Sequence, residues 1–284
     1  MKTQSLYKVG VVISFSLFIT ILAVGQEEAK QDRTVAVEFL KTRSQRALPL
    51  PFPEPAPVPR GKIPPKESAA SPSPSLVPIG LGYSIFKRDV AGDPIRIQGL
   101  QELHPDDLFR LMIESNAGGY LYVFSTEPGN LPKMIFPKKT INDGNNYIVA
   151  HVPYEIPSAK EKTSPARWFH LPIASSAFRL YLVISRAPLP EVPTGKELSA
   201  RCPDKADGCP LSESTWRTIS NFANTEVRRI SLASISDIKQ TRQEGEAVSQ
   251  EKLLLPDAPS PSNIFMNANP QTSLLMVKID FLLK

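Results

Sequence analysis

With 284 residues, 41% of them hydrophobic, the chain can bury at least one substantial core, but its 29 prolines, roughly twice ordinary usage, exclude a uniformly folded polypeptide. The net charge of +5 is small for this length, and no Arg/Lys stripe is interleaved with aromatics, which argues against a nucleic-acid partner. Weak attraction to anionic envelope polymers fits the charge better.

Residues 1–25 read as a signal peptide. Lys2 and Lys8 precede the apolar run Val9–Val24, and Ala23-Val24-Gly25 offers small residues for cleavage before Gln26. An uncleaved anchor is the alternative, with a run near the short end of the roughly 17–25 residues that span a bilayer. The membrane is then met only through this segment, and only if it stays uncleaved. Residues 26–78 read as a disordered, proline-rich linker. Val35, Val37, Phe39 and Leu40 are too few to define a long helical face, leaving a short helix or disorder before the prolines. From Pro49 a proline at every second position removes backbone donors and fixes φ, so an extended polyproline-like spacer is expected.

Residues 79–284 carry the β pattern, and the fold class expected is all-β, mainly an antiparallel β-sandwich, with a short helix. Leu81–Phe86 and Ile95–Ile97 read as the first strands. Leu108–Pro137 reads as a three-stranded meander: Phe109, Leu111 and Ile113 alternate with polar or longer residues, Asn116-Ala117-Gly118-Gly119 turns the chain, and Tyr120–Phe124 runs back. A second turn at Pro128-Gly129-Asn130 leads to Lys133–Phe136. Tyr147–Ile156 is expected as one long strand interrupted at Pro153. Phe178, Leu180, Leu182 and Ile184 form the clearest inward-facing set. Ser212 precedes a helix with Trp216, Ile219 and Phe222 on one stripe. Ile230–Ile238 reads as a strand, Lys239–Glu251 as a polar loop. Leu275, Val277, Ile279 and Phe281 define a last strand that needs a paired, buried place.

Leu81-Gly82-Tyr83, the run Ser115–Phe124, Met134-Ile135-Phe136-Pro137 and Asn142-Asp143-Gly144-Asn145-Asn146 resemble domain of unknown function 4384. His151–Pro157 and Arg186-Ala187-Pro188-Leu189-Pro190 are similar to its acidobacterial versions. The resemblance covers roughly Ile79 to Thr194. It implies a small β-sandwich-like module of the bacterial envelope with no established catalytic residue, so no site is carried over from it.

Candidate chemistry is sparse. Cys202 and Cys209 are expected to form a disulfide in an oxidising compartment, since two cysteines without a nearby histidine make a poor zinc site. His104, His151 and His170 fall in different elements without ligand spacing. Asp106, Asp107 and Asp143 sit beside turn residues, where Asx bonding explains them, and the calcium flavour of Asn142–Asn146 lacks a closing Glu. Gly-x-Ser-x-Gly and phosphate-loop patterns are absent. The aromatics Tyr120, Tyr122, Tyr147, Tyr154 and Trp168 make the candidate binding face: core packing takes most of them, and any surplus on the outer face marks the site.

The function expected is an exported, non-catalytic interaction module of the cell envelope, in the periplasm or outside the cell, presented on its proline-rich spacer. It has no cofactor and no metal, and its partner is an envelope protein or polysaccharide. The alternatives are a structural component pairing through a sheet edge and an enzyme whose residues meet only in the fold.

Overall fold

The computed structural model describes residues 34–43, 77–97, 103–104, 107–127, 129–140, 142–158, 168–170, 177–202, 208–222, 227–231 and 238–282. The signal segment and most of the proline-rich stretch lie outside the described residues, as do Asp106 and Ile141.

Two antiparallel sheets form the body. In the larger, β1 (Gly80–Arg88) is central and pairs along one side with β3 (Leu108–Ser115). Its other side is shared by β2 (Pro94–Ile97) and β13 (Asn263–Asn267). Beyond these lie β11 (Val227–Ser231) on β13 and β12 (Ile238–Lys239) on β2; β7 (Tyr154–Ile156) and β8 (Phe169–His170) pair with β3. In the second sheet β4 (Gly119–Thr126) is central. On one side lie β9 (Ala177–Ser185) and then β14 (Leu274–Leu282). On the other lie β5 (Lys133–Phe136) with β10 (Cys209–Pro210), and β6 (Tyr147–Ile148). The β-sandwich expected from the strand spacing is what the chain forms.

The period of two decides what lies between the sheets. Leu81, Tyr83 and Ile85, with Phe109, Leu111 and Ile113, face Leu121 and Val123, Leu180, Leu182 and Ile184, and Leu275, Val277, Ile279 and Phe281. Full burial of each such aliphatic side chain stabilises by about 1.5–3 kcal/mol. Lys278 and Asp280 on the opposite face of β14 are exposed, as their alternation requires.

Both outer faces are also covered. On the second sheet, Tyr122, Phe124 and Val183 pack under α3 (Glu213–Phe222), through Trp216 and Ile219, and under Leu198 of α2 (Glu197–Arg201). Ser212 accepts from the Thr215 amide (3.1 Å), the cap the sequence suggested. On the larger sheet, the helix of residues 34–43, α1, lays Val35 and Phe39 on Ile230, Ile264 and Met266. Close seating there needs glycine: a Cβ on Gly82 would lie 2.5 Å from Pro261 and 3.3 Å from Phe39, and one on Gly80 2.8 Å from Phe39.

Several expectations are corrected. Residues 34–43 belong to the folded body instead of the linker, because Val35, Phe39 and Arg43 form a narrow i, i+4, i+8 stripe that is buried while Val37 points outward. In sequence the proline-rich stretch, which lies outside the described residues, falls between Arg43 and Val77, and both of these are held on this body. Leu108–Pro137 is not a single meander. The Asn116–Gly119 corner carries the chain from one sheet to the other, with Asn116 accepting from the Gly80 amide (2.7 Å) and donating to the Pro78 carbonyl (3.1 Å). Tyr147–Ile156 likewise splits into β6 and β7 in different sheets. Lys239–Glu251 holds α4 (Arg242–Gln250), started by a capping box in which Thr241 and Glu244 exchange side-chain to backbone bonds.

Candidate functional site

The outward positions of the larger sheet follow from register. Glu114 lies opposite Gly82, Met112 opposite Ser84, and Arg110 opposite Phe86, which is itself opposite Arg96. Glu155 lies opposite Met112. These residues would be ordinary solvated groups on a bare sheet, but α1, α4 and residues 258–262 bury them. A buried charge needs a partner and hydrogen bonds, and each of the carboxylates has them. Glu114 pairs with Arg43, Glu155 with Arg110 (3.1 Å), and Glu244 of α4 with Arg96. Arg96 also donates to Ser84 Oγ (2.8 Å) and the Ser260 carbonyl (2.7 Å), and lies 5.2 Å over the Phe86 ring.

The densest cluster joins Arg43, Glu114, His151 and Thr42. Arg43 Nε donates to Glu114 Oε1 (2.8 Å) and Nη2 to Oε2 (2.5 Å), while further Arg43 donors reach the Ala258 and Pro259 carbonyls. His151 Nδ1 lies 2.7 Å from Glu114 Oε1, and Nε2 lies 2.6 Å from Thr42 Oγ1. His151 is 0% exposed, Glu114 1% and Arg43 2%. Desolvation pushes the Glu114 carboxyl up, yet the hydrogen bonds and charges of Arg43 and His151 outweigh it and hold the group below the usual carboxylate range. Glu155 goes the other way: burial raises it, only partly offset by Arg110 and Gln240.

His151 stands in left-handed backbone (φ 60°), where the chain crosses from β6 to β7. Its amide donates to the Ser115 carbonyl (2.7 Å) and its carbonyl accepts from Leu254 N (2.9 Å). Hydroxyl, imidazole and carboxylate thus stand in the order of a nucleophile, base and orienting group. The Thr42 hydroxyl also lies 3.0 Å from the Phe39 carbonyl one turn back in α1. That arrangement clasps α1 to β3 and to the β6–β7 crossing.

No ligand spacing in the sequence points to His151, and no local pattern points to Arg43, Glu114 or Thr42. His104 is exposed in a turn closed by Asp107, which accepts from its amide (2.7 Å) and pairs with Lys87 (2.8 Å). Asp143 is an exposed turn residue at φ 54°, and Asn146 anchors that turn by donating to the Leu121 carbonyl (3.0 Å). Among the described residues, no group of His, Cys, Asp and Glu is placed to hold a metal ion. Cys202 and Cys209 form the disulfide, with Cys209 packed in the core beneath α3.

The proposed aromatic face separates into two sets. Tyr122 is fully buried, its hydroxyl accepting from the Leu189 amide (3.0 Å), and cannot serve an outer face. Trp168 is also buried, with the Arg110 guanidinium 4.7 Å over its ring. The reason is common to both: the outer faces on which sequence placed them are covered by α2 and α3 or by the charged layer. Of the other three, Tyr120 packs partly buried against the same outer cluster as Tyr122, Tyr154 packs against the core between the sheets, and Tyr147 is exposed. Tyr120 and Tyr147 are cross-strand partners, edge to face at 5.3 Å. Tyr154 is half-buried, its hydroxyl at the Val149 backbone and its charge environment set partly by Tyr147 and Glu251; burial pushes its phenol up.

Further exposed apolar side chains lie on the same segment as Tyr147 and on the one that meets it at Leu254. Tyr147 (49% exposed) and Val149 (45%) alternate with the buried Ile148 and Ala150. Leu253 and Leu255 are exposed on either side of Leu254, the residue bonded to the His151 carbonyl. Sequence gave no sign that residues 251–255 join this surface, since they lie a hundred positions downstream.

No family model matches the chain, and no curated protein or solved structure matches it either. The likeness to domain of unknown function 4384 rests on the motifs alone.

Proposed function

We propose that this chain is an exported module of the bacterial cell envelope that binds an envelope protein or polysaccharide without turning it over. The observation that carries this reading is the group of exposed apolar residues Tyr147, Val149, Leu253 and Leu255, whose two segments meet where the Leu254 amide donates to the His151 carbonyl. Exposed apolar side chains in one place on a rigid scaffold mark an interaction site, and tyrosines suit partners that need both ring contact and a hydroxyl. The Cys202–Cys209 disulfide is compatible with an oxidising compartment, and the apolar segment 9–24 supports export. The Glu114 cluster is spent on holding α1 in place, which supports a scaffold role for it.

Crosslinking in intact cells, followed by identification of the bound material, tests this. A partner recovered repeatedly from the parent and lost when Tyr147, Val149 and Leu255 become alanine supports it. Turnover of an envelope substrate that disappears in His151→Ala but persists in the surface variant overturns it.

A further inference from the structure

We propose that the proline-rich residues 49–59 of this same chain dock on the Tyr147–Val149 and Leu253–Leu255 surface, as its resident ligand. The inference rests on that surface being a binding face. It starts from where the described chain leaves the body. α1 ends at Arg43, fixed by Glu114 and by the Ala258 and Pro259 carbonyls. Its neighbour Thr42 touches His151, and His151 is bonded in turn to Leu254, between the two exposed leucines. The last described residue of α1, Arg43, therefore follows directly on the contact that leads to the leucine segment. Residues 44–48 can span at most about 17 Å at ~3.3–3.6 Å each, enough to carry Pro49 across it. At the other end Val77 is held through its carbonyl by Arg186 (2.5 Å), so both ends of the stretch are fixed on one body. Such tethering gives effective concentrations on the order of millimolar for short flexible connections.

The chemistry agrees with the location. Pro49, Pro51, Pro53, Pro55, Pro57 and Pro59 interleave with Leu50, Phe52, Glu54, Ala56 and Val58, four of these five being apolar. A proline-rich strand is pre-organised and lacks backbone donors, so it loses little on leaving water, and aromatic side chains with aliphatic neighbours are the surfaces that receive it. Charge points the same way. Glu251 and Asp257 are exposed on the leucine segment against a single Lys252, while Arg46, Arg60 and Lys62 flank the proline run and outnumber its one acid, Glu54.

A photo-crosslinking amino acid in place of Tyr147, in the full chain, tests the inference. Equal amounts of light and heavy nitrogen-labelled protein are mixed with envelope fragments, irradiated, digested with trypsin and read by mass spectrometry. The expected product links position 147 to the Ala47–Arg60 peptide of the same isotopic chain, with none from the same probe at the fully exposed Val90. Links between light and heavy chains overturn the inference in favour of a second copy. Links to envelope material but none to the arm overturn it and leave the binding surface standing. Links to neither remove both.

Discussion

Glu114 shows at the scale of one residue how position outranks residue type. On β3 it occupies a polar, outward place in the alternation, yet it is among the most buried groups in the protein because α1 covers it. Glu114→Gln leaves Arg43 charged and buried without its counter-ion, and loss of one partner of such a pair costs about 3–5 kcal/mol. Urea unfolding of the variant measures this. Glu155→Gln is expected to cost less, since burial already disfavours that carboxylate in its charged form. The signs with pH follow. Glu114 is held low, so its contribution is present above the ordinary carboxylate value of about 4.3 and is lost as pH falls through its lower folded value. Glu155 is raised, so its contribution is full below that value and is lost as pH rises through the folded one. Acid unfolding of Glu114→Gln should therefore be less steep than that of the parent at the acid end. None of this was legible beforehand, because the partners of Glu114 come from positions 43 and 151 and no local spacing links them.

At the scale of elements, strands were read better than their connections. β1, β2, β9, β14 and α3 stand where alternation, glycines and the Ser212 cap put them. The last strand supplies a sharp check: Val277→Asp buries an unpaired charge in the core and should unfold the protein or lower its melting temperature strongly, whereas Lys278→Asp should be mild. Equal melting of both variants and the parent would remove β14 from the core. What alternation does not encode is which sheet a strand joins, so the β3–β4 corner and the β6–β7 crossing were misread as continuous sheet. α4 is a different kind of miss, since Thr241-Arg242-Gln243-Glu244 displays a capping box in plain sequence. α1 was underestimated because a stripe of two apolar residues and one arginine suffices when glycines let it sit close. Its dependence on the clasp is testable: Arg43 is buried in the parent and should resist trypsin, while His151→Ala, which loses the bonds to Thr42 and Glu114, should open cleavage after Arg43. An unchanged digestion pattern would show that α1 is held by Val35 and Phe39 alone.

For the whole molecule, the two sheets, their covering helices and the disulfide make one body, and among its described residues Tyr147, Val149, Leu253 and Leu255 are exposed apolar side chains on two segments that meet at Leu254. Under denaturing, non-reducing conditions, Cys202 and Cys209 should escape thiol labelling until reductant is added; free thiols in protein isolated without reductant would contradict the bridge. The charged outer row of β14, Lys278 and Asp280 with Arg179 of β9, suits an edge that discourages strand addition, so binding is assigned to the Tyr147 and Leu253–Leu255 segments instead. Hydrogen exchange of the full chain, with and without bacterial envelope fragments, tests that assignment most directly. Binding there predicts slowed exchange over Tyr147–Tyr154 and Glu251–Leu255. Slowing confined to Leu274–Leu282, or steady consumption of the fragments with no slowing at either segment, would contradict it.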